Sequence, residues 1–299
     1  MTSLAQKYRP KTFDDVLGQP VNTTIFKKQI ETDSYSHTIL FAGYAGCGKT
    51  TCAKIFANSI DGEIYELDCA SHNGVEDIRK IVDDSRTQSL IHKYKVYILD
   101  ECHTLSSQAW SSLLIVLEEN LPKTIFIFCT TDTQKIPNTI MSRVQRFNFL
   151  PISDEVIFNR LKYVCKNENI TIEEDALHTL SKSATGSMRQ ALTNLDKCLL
   201  YGDLTDTNVR KVLNIISDDI VKDLYDVIEK KDNPQIIKYI IDIYNNGYEL
   251  HLFMKQFLDY CLNNTKDLRI VDTILTILQD IKYDDNPKNI IIARFLTWK

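Results

Sequence analysis

Residues 38–51 read T-I-L-F-A-G-Y-A-G-C-G-K-T-T, an apolar run that breaks into glycines and then turns helical. The first four residues, 38–41, have the character of a short buried strand. Gly43, Gly48, Lys49 and Thr50 fit the spacing G-x-x-x-x-G-K-S/T, in the strand–loop–helix order that a phosphate-binding loop requires. The residue types suit that chemistry. Glycines let backbone N–H groups curl around phosphate oxygens, and a helix start adds the positive end of its dipole. Lys49 would place a charge on the β and γ phosphates, and the Thr50 hydroxyl is a ligand for Mg²⁺. The loop from Gly43 through Gly46, Cys47, Gly48 and Lys49 to Thr50 and Thr51 is therefore expected to hold a nucleoside triphosphate.

At 299 residues the chain exceeds one typical core, so two or three domains are expected. Apolar content of 43% and charged content of 25% are those of a soluble globular protein. The net charge of −5 is spread about evenly between the halves, so any nucleic-acid contact must come from a local positive surface. None of the eight cysteines forms a C-x-x-C pair, and several sit in apolar patterns. Reduced, buried thiols in a cytosol-like compartment are expected, without disulfides or a protein-held metal. No apolar run approaches membrane-spanning length, so no membrane contact is expected.

Working outward from the loop, Ala53, Phe56, Ala57 and Ile60 recur at helical spacing and predict the buried face of the following helix. Residues 64–67 predict a second strand, and 75–85 a helix with Val75, Ile78 and Val82 inward. Residues 95–101, K-V-Y-I-L-D-E, predict an apolar strand ending in two carboxylates. In a parallel sheet, ligands gather at the carboxyl ends of the strands, so Asp100 and Glu101 belong beside the phosphate loop. Asp100 suits holding Mg²⁺, and Glu101 suits orienting and deprotonating a water. Adjacent acids after a strand are often only a solvated turn; their place after the loop favours chemistry. Residues 108–118 predict a helix and 124–129 a buried strand with Thr130 and Thr131 at its end. A hydroxyl there is placed to meet the γ-phosphate or the water, although Thr also caps strand ends.

Phe147 and Phe149 alternate within 146–150 as a last strand. Five strands with intervening helices give an α/β, doubly wound sheet. Ahead of it, K-Y-R-P (Lys7 to Pro10) and D-D-V-L-G-Q (Asp14 to Gln19) read as an extended arm, a candidate wall for the base, followed by a helix over 21–31. Pro151 marks a boundary. Beyond it Ile157, Leu161 and Val164 form one helical face and Leu177, Leu180 and Ala184 another; Gly186 ends that helix and Ser187 caps a third. Arg189 then falls in a first helical turn, where a cation opposes the dipole, and a broken local rule points to an anion nearby. From 207 onward the chain reads as all-helical, with faces built on Leu224, Ile228, Leu252, Phe253, Phe257, Ile270, Ile274, Ile277, Leu278, Ile281, Ile291, Ile292, Phe295 and Leu296. Most of that surface is core, and part is a candidate oligomer interface.

Taken together, K-Y-R-P, D-D-V-L-G-Q, G-Y-A-G-C-G-K-T-T, V-Y-I-L-D-E-C-H-T-L-S, C-T-T-D-T-Q-K-I-P, S-R-V and G-S-M-R-Q-A-L make a chain that resembles the clamp-loader ATPases of the AAA+ superfamily. These include bacterial tau/gamma and the small replication-factor-C subunits. The likeness to tau/gamma is close over about 4–200 and rests on length and helicity thereafter. It implies a P-loop core over 1–151, a small helical lid over 152–206 and an all-α oligomerisation collar over 207–299. Lys49 and Thr50 then resemble the Walker-A pair, Asp100 and Glu101 Walker B, and Thr131 sensor 1. Arg143 resembles the arginine finger that reaches a neighbouring subunit's ATP, and Arg189 resembles sensor 2. Tyr8, Arg9, Pro10 and Val16 match the arm that lines the base. The implied cofactors are ATP and Mg²⁺. The implied partners are a sliding clamp, primer–template DNA, further copies with a different partner subunit, and the DNA polymerase holoenzyme, in the cytoplasm or, for a phage-encoded subunit, the host cytosol.

Three departures qualify the resemblance. The four-cysteine zinc insertion of tau/gamma is missing, so no zinc is expected. Val144 replaces the usual cysteine after Arg143. His72 and Gly74 stand where bacterial relatives carry basic residues that face DNA, which shifts that role toward Arg79, Lys80 and helix starts. The chain also lacks a long C-terminal extension, which makes it more like a small replication-factor-C or virus-encoded subunit than full tau. Among rivals, D-E-C-H suits a helicase, but no second phosphate loop follows. A branch-migration or initiator AAA+ ATPase is the nearer alternative. A non-hydrolysing assembly subunit is disfavoured by the intact Lys49, Asp100, Glu101 and Arg143.

Overall fold

The computed structural model describes residues 2–119, 121–265, 267–284 and 286–297, so the expected core and collar ranges each include residues outside the described ones. The first part of the chain runs α1 (Leu4–Lys7), α2 (Pro20–Glu31), β1 (Thr38–Gly43), α3 (Lys49–Ser59), β2 (Gly62–Asp68), α4 (Val75–Ser85), β3 (Tyr94–Asp100), α5 (Ser107–Glu118), β4 (Thr124–Thr130), α6 (Asn138–Met141) and β5 (Gln145–Phe149). The strands form one five-stranded parallel sheet in the order β2-β3-β4-β1-β5. This is the α/β sheet that the alternating periodicities predict.

Side chains alternate between sheet faces every second residue, and each face carries its own core. Ile39 and Phe41 of β1, Val96 and Ile98 of β3, and Ile125 and Ile127 of β4 pack with Phe26 of α2 and Phe56 of α3. Their neighbours Leu40, Tyr97, Leu99, Phe126 and Phe128 pack on the opposite face with Ile78 of α4 and with Trp110 and Leu113 of α5. Phe26 is the hub of the first core. Its ring centroid lies 4.6 Å from Phe147 and 5.2 Å from Phe41. A fully buried ring of this kind is worth about 3–5 kcal/mol against alanine. The edge strands β2 and β5 are less covered, and β5 buries only Phe147 and Phe149.

β4 lies between β1 and β3. That order brings the loop after β1 and the acids after β3 to either side of the β4 end, where Thr130 and Thr131 stand. Three helices follow the sheet: α7 (Asp154–Asn167), α8 (Glu174–Ser183) and α9 (Met188–Tyr201). Ser153 and Ser187 cap the first and third of them, accepting from the Val156 and Gln190 N–H groups. Ile157, Leu161, Val164, Leu177, Leu180 and Ala184 are all buried, as their spacing predicts.

The chain divides into two compact units, Met1–Asp196 and Lys197–Lys299, with the division inside α9. The second unit continues with α10 (Asp206–Leu213), α11 (Asp218–Glu229), α12 (Asn233–Asn245), α13 (Leu250–Asn264), α14 (Leu268–Asp280) and α15 (Pro287–Thr297). Its core gathers Leu224, Ile228, Phe253, Phe257, Ile270, Ile274, Ile277, Ile281, Ile291 and Phe295. Two expectations fail here. Leu252 is exposed because the buried stripe of α13 runs through Leu250, Phe253, Met254 and Phe257, and Leu296 is exposed beside the inward Phe295. Among the described residues no helix is long and apolar enough to cross a membrane. All eight cysteines are free and buried.

Candidate nucleotide site

A pocket of about 380 Å³ opens at the carboxyl end of the sheet, walled by the arm, the loop after β1, Asp100 and Glu101, and the start of α9. Gly46, Cys47, Gly48, Lys49, Thr50 and Thr51 line it from below, and Tyr8, Arg9, Pro10 and Val16 line it from the arm. The loop conformation depends on glycine at two points. Gly48 caps α3 with φ 106°, and Gly46 has φ 74°. A Cβ at Gly46 would meet Ser187 Oγ at 2.0 Å and Arg189 Cβ at 3.1 Å, so the Gly46 backbone packs directly against the side chains at the α9 start. Gly46→Ala is therefore expected to cost about 1–3 kcal/mol of stability through overpacking and strain, and to weaken nucleotide binding roughly tenfold by pushing α9 away. A thermal melt and a nucleotide titration check both effects.

Lys49, only 5% exposed, donates to the Gly43 and Tyr44 carbonyls at 2.8 Å each. Among the described residues it has no carboxylate within ion-pair distance. A buried ammonium held only by carbonyls lacks a counter-charge, and an anion in the loop would supply it. Cys47 contributes backbone rather than thiol. Its Sγ–H donates to the Tyr44 carbonyl, and burial pushes the thiol up. Burial likewise lifts Cys52 and Cys69 to about 12, which keeps them protonated and unreactive.

Thr50 Oγ1 donates to Asp100 Oδ2 at 2.7 Å. A hydroxyl and a carboxylate held together at the loop form the oxygen donor set that a hard cation such as Mg²⁺ prefers. The next residue, Glu101, is left-handed (φ 49°, ψ 40°), a costly conformation for a non-glycine residue. That turn lets the Glu101 N–H donate to Asp100 Oδ1 at 3.0 Å. Thr131 Oγ1 donates to Glu101 Oε2 at 3.2 Å, joining the ends of β4 and β3.

Arg189 lines the pocket from the first turn of α9, and among the described residues its guanidinium has no hydrogen-bond or ion-pair partner. Arg143 does not line the pocket. It lies between α6 and β5, 2.7 Å from Glu118 Oε1 and 2.7 Å from the Thr139 carbonyl. Thr131 also stands outside the lining residues and reaches the site through Glu101. Of the basic residues considered for DNA, Arg79 pairs with Glu76 at 2.8 Å and Lys80 with Asp77 at 3.7 Å.

Some pocket residues were not legible from motifs. Arg160 of α7 lines the pocket, donates to the Tyr8 carbonyl at 3.2 Å and lies over the Tyr8 ring. Tyr8 Oη donates to Glu168, and Lys7 pairs with the same carboxylate at 2.7 Å, so the arm is clasped to α7. Lys7 and then Tyr8 hold the Glu168 carboxyl below its usual range. With its folded value depressed, this clasp contributes at neutral pH and is lost as pH falls through that value. Leu192 and Thr193 also line the pocket, and their i+3 and i+4 spacing from Arg189 is the signal that would have found them.

Comparison with known proteins places this geometry. Residues 61–153 match the family described as DNA polymerase III, delta subunit, and residues 156–204 match the DNA polymerase III clamp loader subunit, ATPase lid domain. The DNA polymerase III subunit gamma of Buchnera aphidicola subsp. Baizongia pistaciae is 31% identical, across 96% of this chain and 84% of that protein. The chain belongs to the DNA polymerase III gamma/tau family. Subunit gamma/tau of Mycoplasma genitalium is 33% identical over 93% of this chain, and subunit tau of Bacillus subtilis 37% over 68%. The chain spans about half the length of the Mycoplasma genitalium protein (52%) and 40% of Bacillus subtilis tau. A solved structure of Thermotoga maritima RuvB, a Holliday junction branch migration motor, superposes with a TM-score of 0.58 at 20% identity, covering 74% of this chain and 80% of that one. At that identity the likeness is one of fold alone.

Proposed function

We propose that this chain is an ATPase subunit of a sliding-clamp loader. ATP binding would hold assembled copies in a form that opens the clamp and grips primer–template DNA, and hydrolysis to ADP and phosphate would release the loaded clamp. The chain would work as several copies with a different partner subunit, beside the DNA polymerase holoenzyme. The observation that carries the reading is the Thr50–Asp100 hydrogen bond with Glu101 beside it, while Arg143 stands away from its own pocket. Such a site would be completed by the Arg143 guanidinium of a neighbouring copy.

Each residue then has a role. Lys49 exchanges its two carbonyls for β and γ phosphate oxygens. Thr50 and Asp100 would hold Mg²⁺, which when bound neutralises charge between those phosphates. Glu101 takes a proton from the attacking water, and Thr131 fixes that carboxylate. Arg189 reaches the nucleotide from the lid, residues 152–206, and the arm residues Tyr8, Arg9, Pro10 and Val16 wall the base. Arg143 enters a neighbour's site, and the helices of 207–299 hold the copies together as a collar.

The discriminating measurement is the ATPase rate with primed DNA and the cognate clamp, added singly and together. The clamp-loader reading expects a severalfold rise that is largest with both. A rate indifferent to the clamp but raised by branched DNA would favour a branch-migration motor instead.

A further inference from the structure

Glu101 is held by more than Thr131. A 3-10 turn over Cys102–Thr104 follows β3 and carries His103 back against the end of β4. His103 Nδ1 lies 3.3 Å from Glu101 Oε2 and 3.3 Å from Thr130 Oγ1, with only 16% of its side chain exposed. The hydrogen-bond count around Thr130 decides which way these contacts run. The Asp132 carbonyl lies 3.0 Å from Thr130 Oγ1 and can only accept, so the hydroxyl gives its one hydrogen there. The same oxygen accepts from the Asp132 N–H at 3.0 Å. Toward His103, Thr130 Oγ1 is thus an acceptor, and Nδ1 must carry the hydrogen. That N–H belongs to Thr130 Oγ1, and Nδ1 also lies within ion-pair distance of Glu101 Oε2 without hydrogen-bond geometry.

The consequence lies in the two carboxylate oxygens of Glu101. Oε2 takes the Thr131 hydroxyl at 3.2 Å and lies 3.3 Å from His103 Nδ1, whereas Oε1 has no partner among the described residues. We propose that His103 is a positioning residue for hydrolysis: its ring, held by Thr130, sets the positive edge at Nδ1 against Oε2 of Glu101 and leaves Oε1 as the oxygen that receives the water's proton. The inference rests on the ATPase reading and deepens it. His103 would join the β4 end to the acid after β3, so a shift of Thr130 and Thr131 turns the Glu101 carboxylate with them. A carboxylate free to rotate would spend much of its time with neither oxygen aimed at the water, and small misplacements of a reacting group are costly in rate.

Two variants and one spectrum test this on the full chain with primed DNA. His103→Ala is expected to lower kcat roughly tenfold while the nucleotide Kd stays within about twofold. His103→Asn, whose amide places an N–H near the Nδ1 position, is expected to recover kcat to within about threefold of the parent. An unchanged kcat in His103→Ala, or no recovery in a folded His103→Asn, overturns the proposal. Nitrogen-15 labelling of the histidines reads the tautomer directly. A protonated Nδ1 with an unprotonated Nε2 supports it, and the opposite tautomer overturns it whether or not turnover is measurable. Glu101→Gln separates the two levels. If the parent chain itself hydrolyses no ATP, the ATPase reading fails; if Glu101→Gln still hydrolyses it, the base role of Glu101 fails and that of His103 with it. If Glu101→Gln is inactive while His103→Ala turns over as fast as the parent, only the role of His103 fails.

Discussion

An Arg143→Ala variant is expected to bind nucleotide as tightly as the parent chain and, once copies assemble, to hydrolyse it about 10³-fold more slowly. The geometry separates these two effects. Arg143 does not line the pocket of its own chain, so its loss leaves the loop, the acids and the arm untouched. Its guanidinium rests on Glu118 at 2.7 Å, at 38% exposure, and exposed pairs of that kind are worth about 0–1 kcal/mol. Release from Glu118 to a neighbour's γ-phosphate therefore costs little against the gain of a bidentate contact with developing charge. The decisive experiment mixes copies. Arg143→Ala chains keep a whole pocket but offer no finger, and Lys49→Ala chains offer a finger but no pocket. If Arg143 acts across the interface, the mixture regains part of the turnover that each variant lacks alone. If full hydrolysis persists in assembled Arg143→Ala, or mixing restores nothing, the trans arrangement is wrong.

The glycine-punctuated loop, the acid pair and the helix over 75–85 are legible because each is a local pattern. Glycine spacing, strand-end carboxylates and a 3.6-residue period are all written within about a dozen neighbouring residues. Strand limits differ from the expected ones at their ends: β1 runs on through Ala42 and Gly43 and β4 through Thr130, where small or polar residues give no apolar signal, whereas β3 stops at Asp100 and β5 at Phe149. Residue type alone puts Leu252 and Leu296 in the core, whereas helix phase turns them outward. What stayed hidden is long-range. Arg160 meets Tyr8 across 152 positions, Lys7 meets Glu168 across 161, and Glu118 meets Arg143 across 25. No periodicity in one segment reports a partner in another. The His103–Thr130–Glu101 cluster hides for a different reason, because it depends on β4 lying beside β3, which only the sheet order provides.

Replacing Lys49 by Ala is expected to weaken nucleotide binding by about 10²–10³-fold, below detection at micromolar protein. Lys49 makes two hydrogen bonds to neutral carbonyls, and the triphosphate would offer anionic oxygens in their place, in contacts worth about 1.5–3 kcal/mol each. Losing about 3–4 kcal/mol is two to three decades in Kd. The fold should tolerate the change. Lys49 itself lines the pocket, so water can take the place of its ammonium at the Gly43 and Tyr44 carbonyls, and removing a buried cation without a carboxylate partner relieves a desolvation cost. A thermal melt near that of the parent, beside a lost nucleotide titration, is the expected pair of results. Lys49→Arg sharpens the test, because it keeps the charge yet cannot fit a guanidinium where one ammonium bridges two carbonyls at 2.8 Å. Near-normal affinity in Lys49→Ala would mean that the loop amides alone hold the phosphates, and the buried ammonium would need another explanation. Lost binding in Ala with partial binding in Arg would locate the requirement in the positive charge at this one atom, with the compact shape of the ammonium setting how much of it is used.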